Sequence, residues 1–141
     1  RTGDFLTPHV AGSSLDGRLN GTLHCYRELC HFFEVEPTWT PDPCQLPASP
    51  FVEIDAAHRS DDDVLAELLA AACPIPEDDR AWRAEMATDD FAELRRRFDR
   101  FRKNYQSRRE FAAIRVHLSH ASPALLDVVA AFGFQVCAHQ P

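Results

Sequence analysis

Residues 51–70 read FVEIDAAHRSDDDVLAELLA, and this stretch decides the fold. Its first five residues alternate apolar and polar side chains and include the β-branched Val52 and Ile54, the pattern of a strand with one buried face. Ser60 then precedes Asp61, Asp62 and Asp63. A hydroxyl cap followed by acid in the first turn, where the helix dipole favours negative charge, predicts a helix start. Val64, Leu65, Leu68, Leu69 and Cys73 recur at helical spacing, and Pro74 ends the run because the residue before a proline is driven out of the helical region.

The same reading extends downstream. A short helix is expected over 79–87, and Thr88, Asp89 and Asp90 start a longer one through Phe91, Leu94, Phe98 and Phe101. Residues 114–118 alternate as a strand. Ser122-Pro123 opens a helix through Leu125, Leu126 and Val129, Gly133 closes it, and 134–138 is a further strand. Residues 51–141 are thus predicted to form an α+β module of about 90 residues, near the lower limit for a self-sufficient core.

Upstream, five of the ten prolines fall within 37–50. Fixed φ angles and missing N–H groups exclude helix and sheet interior there, so this segment reads as a linker. Before it, Leu15, Leu19, Leu23, Tyr26, Leu29 and Phe33 form one stripe of period 3.6 over 14–33, capped by Ser13 or Ser14 with Asp16 in the first turn. The chain divides into 1–36, the 37–50 linker and 51–141.

With 141 residues there is room for one domain, or a small domain and a piece of another. Because the sequence opens at Arg1 rather than Met, it reads as the C-terminal part of something longer. The longest apolar runs, such as 128–132, are far below the ~18 residues of a membrane span, and no apolar segment follows a basic start; neither a span nor a secretory signal is expected. Five cysteines without a C-x-x-C pair suit free thiols in a reducing cytoplasm. The net charge of −7 hides an asymmetry: residues 51–90 carry twelve acidic and three basic side chains, and residues 91–115 carry three acidic and nine basic ones. The two stretches are expected to lie on solvated faces or to attract one another, within the chain or its oligomer.

Three groups of residues could carry chemistry. Thr7-Pro8-His9-Val10-Ala11-Gly12-Ser13 lies between a short apolar, strand-like segment and the capped helix, where ligands bind in open α/β sheets. An imidazole at His9 can take a proton from a substrate hydroxyl near neutral pH, and Gly12 lets the backbone approach a flat ring. The cluster His24, Cys25, Cys30 and His31 is not expected to bind metal, because seven helical residues separate the histidines by about 10 Å and the cysteines point elsewhere. The basic run from Arg95 to Arg109, interleaved with Phe98, Phe101 and Tyr105, could contact nucleic acid. Its aromatics sit at core spacing and the acidic 51–90 segment would repel a polyanion, so an interface or intramolecular role is expected, or a contribution to a substrate phosphate across a dimer.

Asp4-Phe5-Leu6-Thr7-Pro8-His9-Val10-Ala11-Gly12, followed by Ser14-Leu15-Asp16-Gly17-Arg18 and Gly21-Thr22, closely resembles the end of the catalytic core of the D-2-hydroxyacid dehydrogenases. A second block resembles the C-terminal dimerisation domain of the branch that serves bacterial vitamin B6 synthesis: Phe98-Asp99-Arg100-Phe101-Arg102-Lys103-Asn104-Tyr105, then Arg108-Arg109-Glu110-Phe111. The resemblance implies a dimerisation module joined to the C-terminal remnant of a Rossmann-type α/β core. It also implies NAD as cofactor, a small phosphorylated hydroxy acid as substrate, and a homodimer formed through 51–141. His9 matches the family's proton donor and Gly12 a glycine beside the nicotinamide. Ser13 stands where the family carries a tyrosine that touches substrate. The family's catalytic Arg and Glu and its G-x-G-x-x-G loop have no counterpart in this chain, which by itself is expected to be inert.

Two other readings stay open. One is a D-2-hydroxyacid dehydrogenase with a regulatory, effector-binding tail, which would have no need of the 103–110 block; the other is a free-standing interaction module that retains a core remnant.

Overall fold

A computed structural model describes residues 4–8, 13–42 and 46–137. Helix α1 (Leu15–Phe32) comes first, then strand β1 (Phe51–Asp55) and helices α2 (Asp61–Ala72), α3 (Ile75–Glu85) and α4 (Phe91–Asn104). A single 3-10 turn leads into β2 (Arg115–Ser119), α5 (Pro123–Ala131) and β3 (Gln135–Val136). The four predicted caps are in place: Ser14, Ser60, Asp90 and Ser122 each accept a backbone N–H two or three residues on. Gly133, at φ +94°, ends α5 in the left-handed conformation that a side chain would resist.

The strands form one parallel sheet in the order β1-β2-β3, with Val52 opposite Val116, Ile54 opposite Leu118, and Val116 opposite Val136. Parallel neighbours require crossovers, here supplied by α2–α4 and by α5. Helices α2 and α5 touch each other and the sheet. The core between them is Ile54, Val64, Leu68, Val116, Leu118, Leu125, Val129 and Phe134, with Val64, Leu68, Val116 and Val129 wholly enclosed. Phe111 stacks on Phe134, ring centres 4.5 Å apart, and closes one end.

Three expectations need correction. Helix α3 begins at Ile75, four residues before the predicted start, with Pro74 at its cap. Pro76 lies in the first turn, where an N–H would have no helical partner anyway, so proline starts this helix instead of breaking it. The last strand pairs over only two residues, although Cys137 N–H still donates to the Val116 carbonyl at 2.8 Å. Residues 4–8 form no strand, because the strands among the described residues pair with one another; Leu6 N–H bonds instead to the Asp79 carboxylate at 2.8 Å, and Pro8 is fully buried.

The proline-rich segment is tied down at several points. Thr38 and Trp39 N–H both donate to the Tyr26 hydroxyl, at 2.8 and 3.1 Å, and the Tyr26 and Trp39 rings meet edge to face. Arg109 donates to the Pro47 carbonyl, and Arg115 N–H to that of Pro50.

Candidate functional site

Of the three residues assigned to the catalytic turn, His9 and Gly12 lie outside the described residues. Ser13 is half-buried and borders two neighbouring cavities, of about 410 and 350 Å³, between the start of α1 and the C-terminal module.

What seats the start of α1 on the C-terminal module is a set of bonds between two distant blocks of sequence. The Arg109 guanidinium grips the Asp16 carboxylate with two nitrogens, at 2.9–3.1 Å, and both side chains are nearly buried, 12% and 13% exposed. Asp16 also accepts the Glu110 N–H at 2.8 Å. Next to it, Ser14 Oγ donates to the Glu110 carboxylate, Leu15 N–H to the Arg108 carbonyl at 2.8 Å, and Arg18 to the Ser107 hydroxyl at 2.7 Å. The hydrogen bonds from Arg109, then the one from the Glu110 amide, outweigh burial and hold the Asp16 carboxyl below its ordinary value. A planar fork on a carboxylate fixes direction as well as distance, so α1 is oriented on the module and not merely attached to it.

Tyr105, Arg108 and Cys73 line the larger cavity. Tyr105 donates to Asp78 at 2.6 Å, and Arg108 bonds to Asp78 and, at 3.0 Å, to the Cys73 sulfur. Burial, and then the bond to Asp78, push the Tyr105 hydroxyl up, so it remains a donor at neutral pH.

The basic run is largely neutralised within the chain. Arg96 and Arg97 pair with Glu93, Arg100 with Glu85 and Arg108 with Asp78. Phe98 and Phe101 meet Trp82 edge to face at 5.4 and 5.6 Å. Of the two ways the acidic and basic stretches could attract one another, the intramolecular one is realised here.

On α1, Cys30 is buried while His24, Cys25 and His31 are exposed. No group of three or more metal-capable side chains occurs among the described residues. Cys25, Cys30, Cys73 and Cys137 are free thiols. At the C-terminal ends of β1 and β2, Asp55 accepts the Ala57 N–H and meets His120 Nδ1, both at 2.9 Å. Sequence reasoning passed over this exposed pair, since nothing in either local pattern places the two side by side. No helix among the described residues is long and apolar enough to cross a membrane.

The family described as "Domain of unknown function (DUF3410)" matches residues 45–133, and the chain belongs to it. Curated relatives extend the likeness to the first block. The erythronate-4-phosphate dehydrogenase of Pseudomonas putida (strain W619) is 40% identical over 131 residues, covering 92% of this chain and 34% of the relative. That of Azotobacter vinelandii (strain DJ / ATCC BAA-1303) is 39% identical over 130 residues, covering 92% and 34%. The chain spans about a third of the length of the curated relatives it matches.

Proposed function

We propose that this chain is the C-terminal portion of an NAD-dependent dehydrogenase that oxidises the 2-hydroxyl of 4-phospho-D-erythronate to the 2-oxo acid, a cytoplasmic step toward pyridoxal phosphate. In this reading 1–36 closes the catalytic core, 37–50 links, and 51–141 makes a homodimer. The observation that carries it is the direct bonding of the two sequence blocks, Asp16 to Arg109 across 93 residues of chain. A free-standing interaction module would have no reason to grip the first turn of α1. Helix α1 supports the same reading: Leu29, Phe32 and Phe33 are 56%, 78% and 63% exposed, an apolar side that an upstream core would cover.

When bound, the nicotinamide would accept the hydride. This chain's sequence contains no G-x-G-x-x-G loop, so its share of the chemistry is on the proton side. His9 takes the proton of the 2-hydroxyl, Gly12 allows close approach at the reacting carbon, and the Ser13 hydroxyl is available to hold substrate. Since the charged stretches pair within the chain, dimer contacts would come from apolar residues left open on the module, Phe51, Phe91, Val128 and Phe132.

In the full-length protein, His9→Asn should lower turnover by ~10²–10⁴ with NAD binding retained; turnover within a factor of two of the parent overturns the assignment. Light scattering of the full-length protein and of a version ending at Pro50 should give dimer and monomer masses, and a dimer after the cut would move the interface out of 51–141.

A further inference from the structure

The geometry points to an anion subsite between α1 and α4, in the cavity of about 350 Å³ that Ser13 shares with Arg18, Asp99, Arg102, Lys103 and Ser107, built for a phosphomonoester. It rests on the dehydrogenase reading only for the identity of its natural ligand.

Like the exposed Arg95 outside it, the cations of this cavity meet no carboxylate among the described residues, unlike the rest of the basic run. Arg96, Arg97, Arg100, Arg108 and Arg109 each meet a carboxylate. Among the described residues, the Arg18 side chain bonds to the Ser107 hydroxyl alone, that of Arg102 only overlies the Phe98 ring at 5.6 Å, and that of Lys103 has no partner. Asp99 is the cavity's single carboxylate. Two positive charges in excess match a phosphomonoester, which is mostly dianionic at pH 7.

The helix dipole explains Arg102 and Lys103, which stand in the last turn of α4. It does not explain Arg18, which lies near the start of α1 where a cation is disfavoured. Ser107 nevertheless holds Arg18 at this cavity, leaving the remaining guanidinium N–H groups free to donate, and the hydroxyls of Ser13 and Ser107 add neutral donors.

Titration of the 141-residue chain with inorganic phosphate, read by amide and arginine Nε–H resonances, should give saturable shifts at Ser13, Arg18, Arg102, Lys103 and Ser107. Lys103→Gln with Arg102→Gln should weaken binding about tenfold or more, and Arg95→Gln, away from the cavity, should not. Shifts absent, or as large around Arg95, overturn the subsite. In the full-length protein, Lys103→Gln should raise KM for 4-phosphoerythronate about tenfold with KM for NAD held. A raised KM for NAD instead assigns the site to the dinucleotide pyrophosphate and overturns the substrate assignment. Phosphate binding in a full-length protein without dehydrogenase activity would sink the functional reading and leave the subsite standing.

Discussion

Val64, Leu68, Val116 and Val129 are wholly enclosed between the sheet, α2 and α5, whereas neither α3 nor α4 buries a side chain fully. The second region is joined by Arg97 and Arg100 reaching Glu85, by the edges of Trp82 against Phe98 and Phe101, and by Asp78 beneath Tyr105 and Arg108. Helix α1 is attached in the same manner, through Asp16 and Arg109, with Cys30 its one buried residue. Apolar burial is not screened by salt, responds little to pH and does not depend on a particular bond angle. Charged hydrogen bonds depend on all three but fix orientation. The sheet layer therefore supplies stability, and the helical layer supplies the orientation of α1 on the module.

The largest effect should come from the first region. Leu68→Ala opens a cavity where collapse is hindered on all sides, and should cost about 2–5 kcal/mol in urea denaturation, destabilising the whole module. A loss below 1 kcal/mol would mean that the layer is loosely packed and would break the contrast.

Asp16→Asn should cost less and act locally. It leaves a nearly buried Arg109 without its counter-charge, worth about 2 kcal/mol for charged hydrogen bonds. Hydrogen exchange should speed up at the Leu15 and Glu110 amides, whose acceptors belong to this junction, and stay unchanged at Val116. Equal acceleration at Val116 would show that the two regions unfold as one unit.

Acid should reproduce part of that release. Asp16 and Asp79 both have lowered carboxyl pKa values, Asp16 through Arg109 and Asp79 through Arg83 and then the Leu6 amide. A lowered carboxyl contributes stability that is complete above the unfolded value near 3.9 and fades as pH falls through the folded value beneath it. Exchange at Leu6 and Leu15 should therefore rise below about pH 4, before the sheet amides respond.

The smallest effect is expected at Arg80→Ala. Its pair with Glu77 lies on the open side of α3, with side chains 71% and 55% exposed. Stability should stay within about 0.5 kcal/mol, and a larger loss would give the surface pairs of α3 a weight that solvent screening denies them.

Local signals were legible. The caps Ser60, Asp90 and Ser122 and the stop at Gly133 are short-range chemistry, decided by one side chain and the backbone two or three residues on, so sequence places them to within a residue. The start of α3 was misplaced because Pro74 and Pro76 read equally as a break and as a first turn, and only the helix that follows decides between them. The charge imbalance predicted attraction between 51–90 and 91–115 without saying in which molecule.

By itself the sequence determined the helices, the first two strands, the capping and, through two blocks near opposite ends, the family likeness. Only the tertiary structure decided that the sheet is parallel, that Arg96, Arg97, Arg100, Arg108 and Arg109 of the basic run are spent on their own chain's carboxylates, and that Asp16 is the partner of Arg109. Strand direction and long-range ion pairs depend on how crossovers return the chain through space, and that path is set by the summed packing of α2 and α5 on the sheet, which no local pattern encodes.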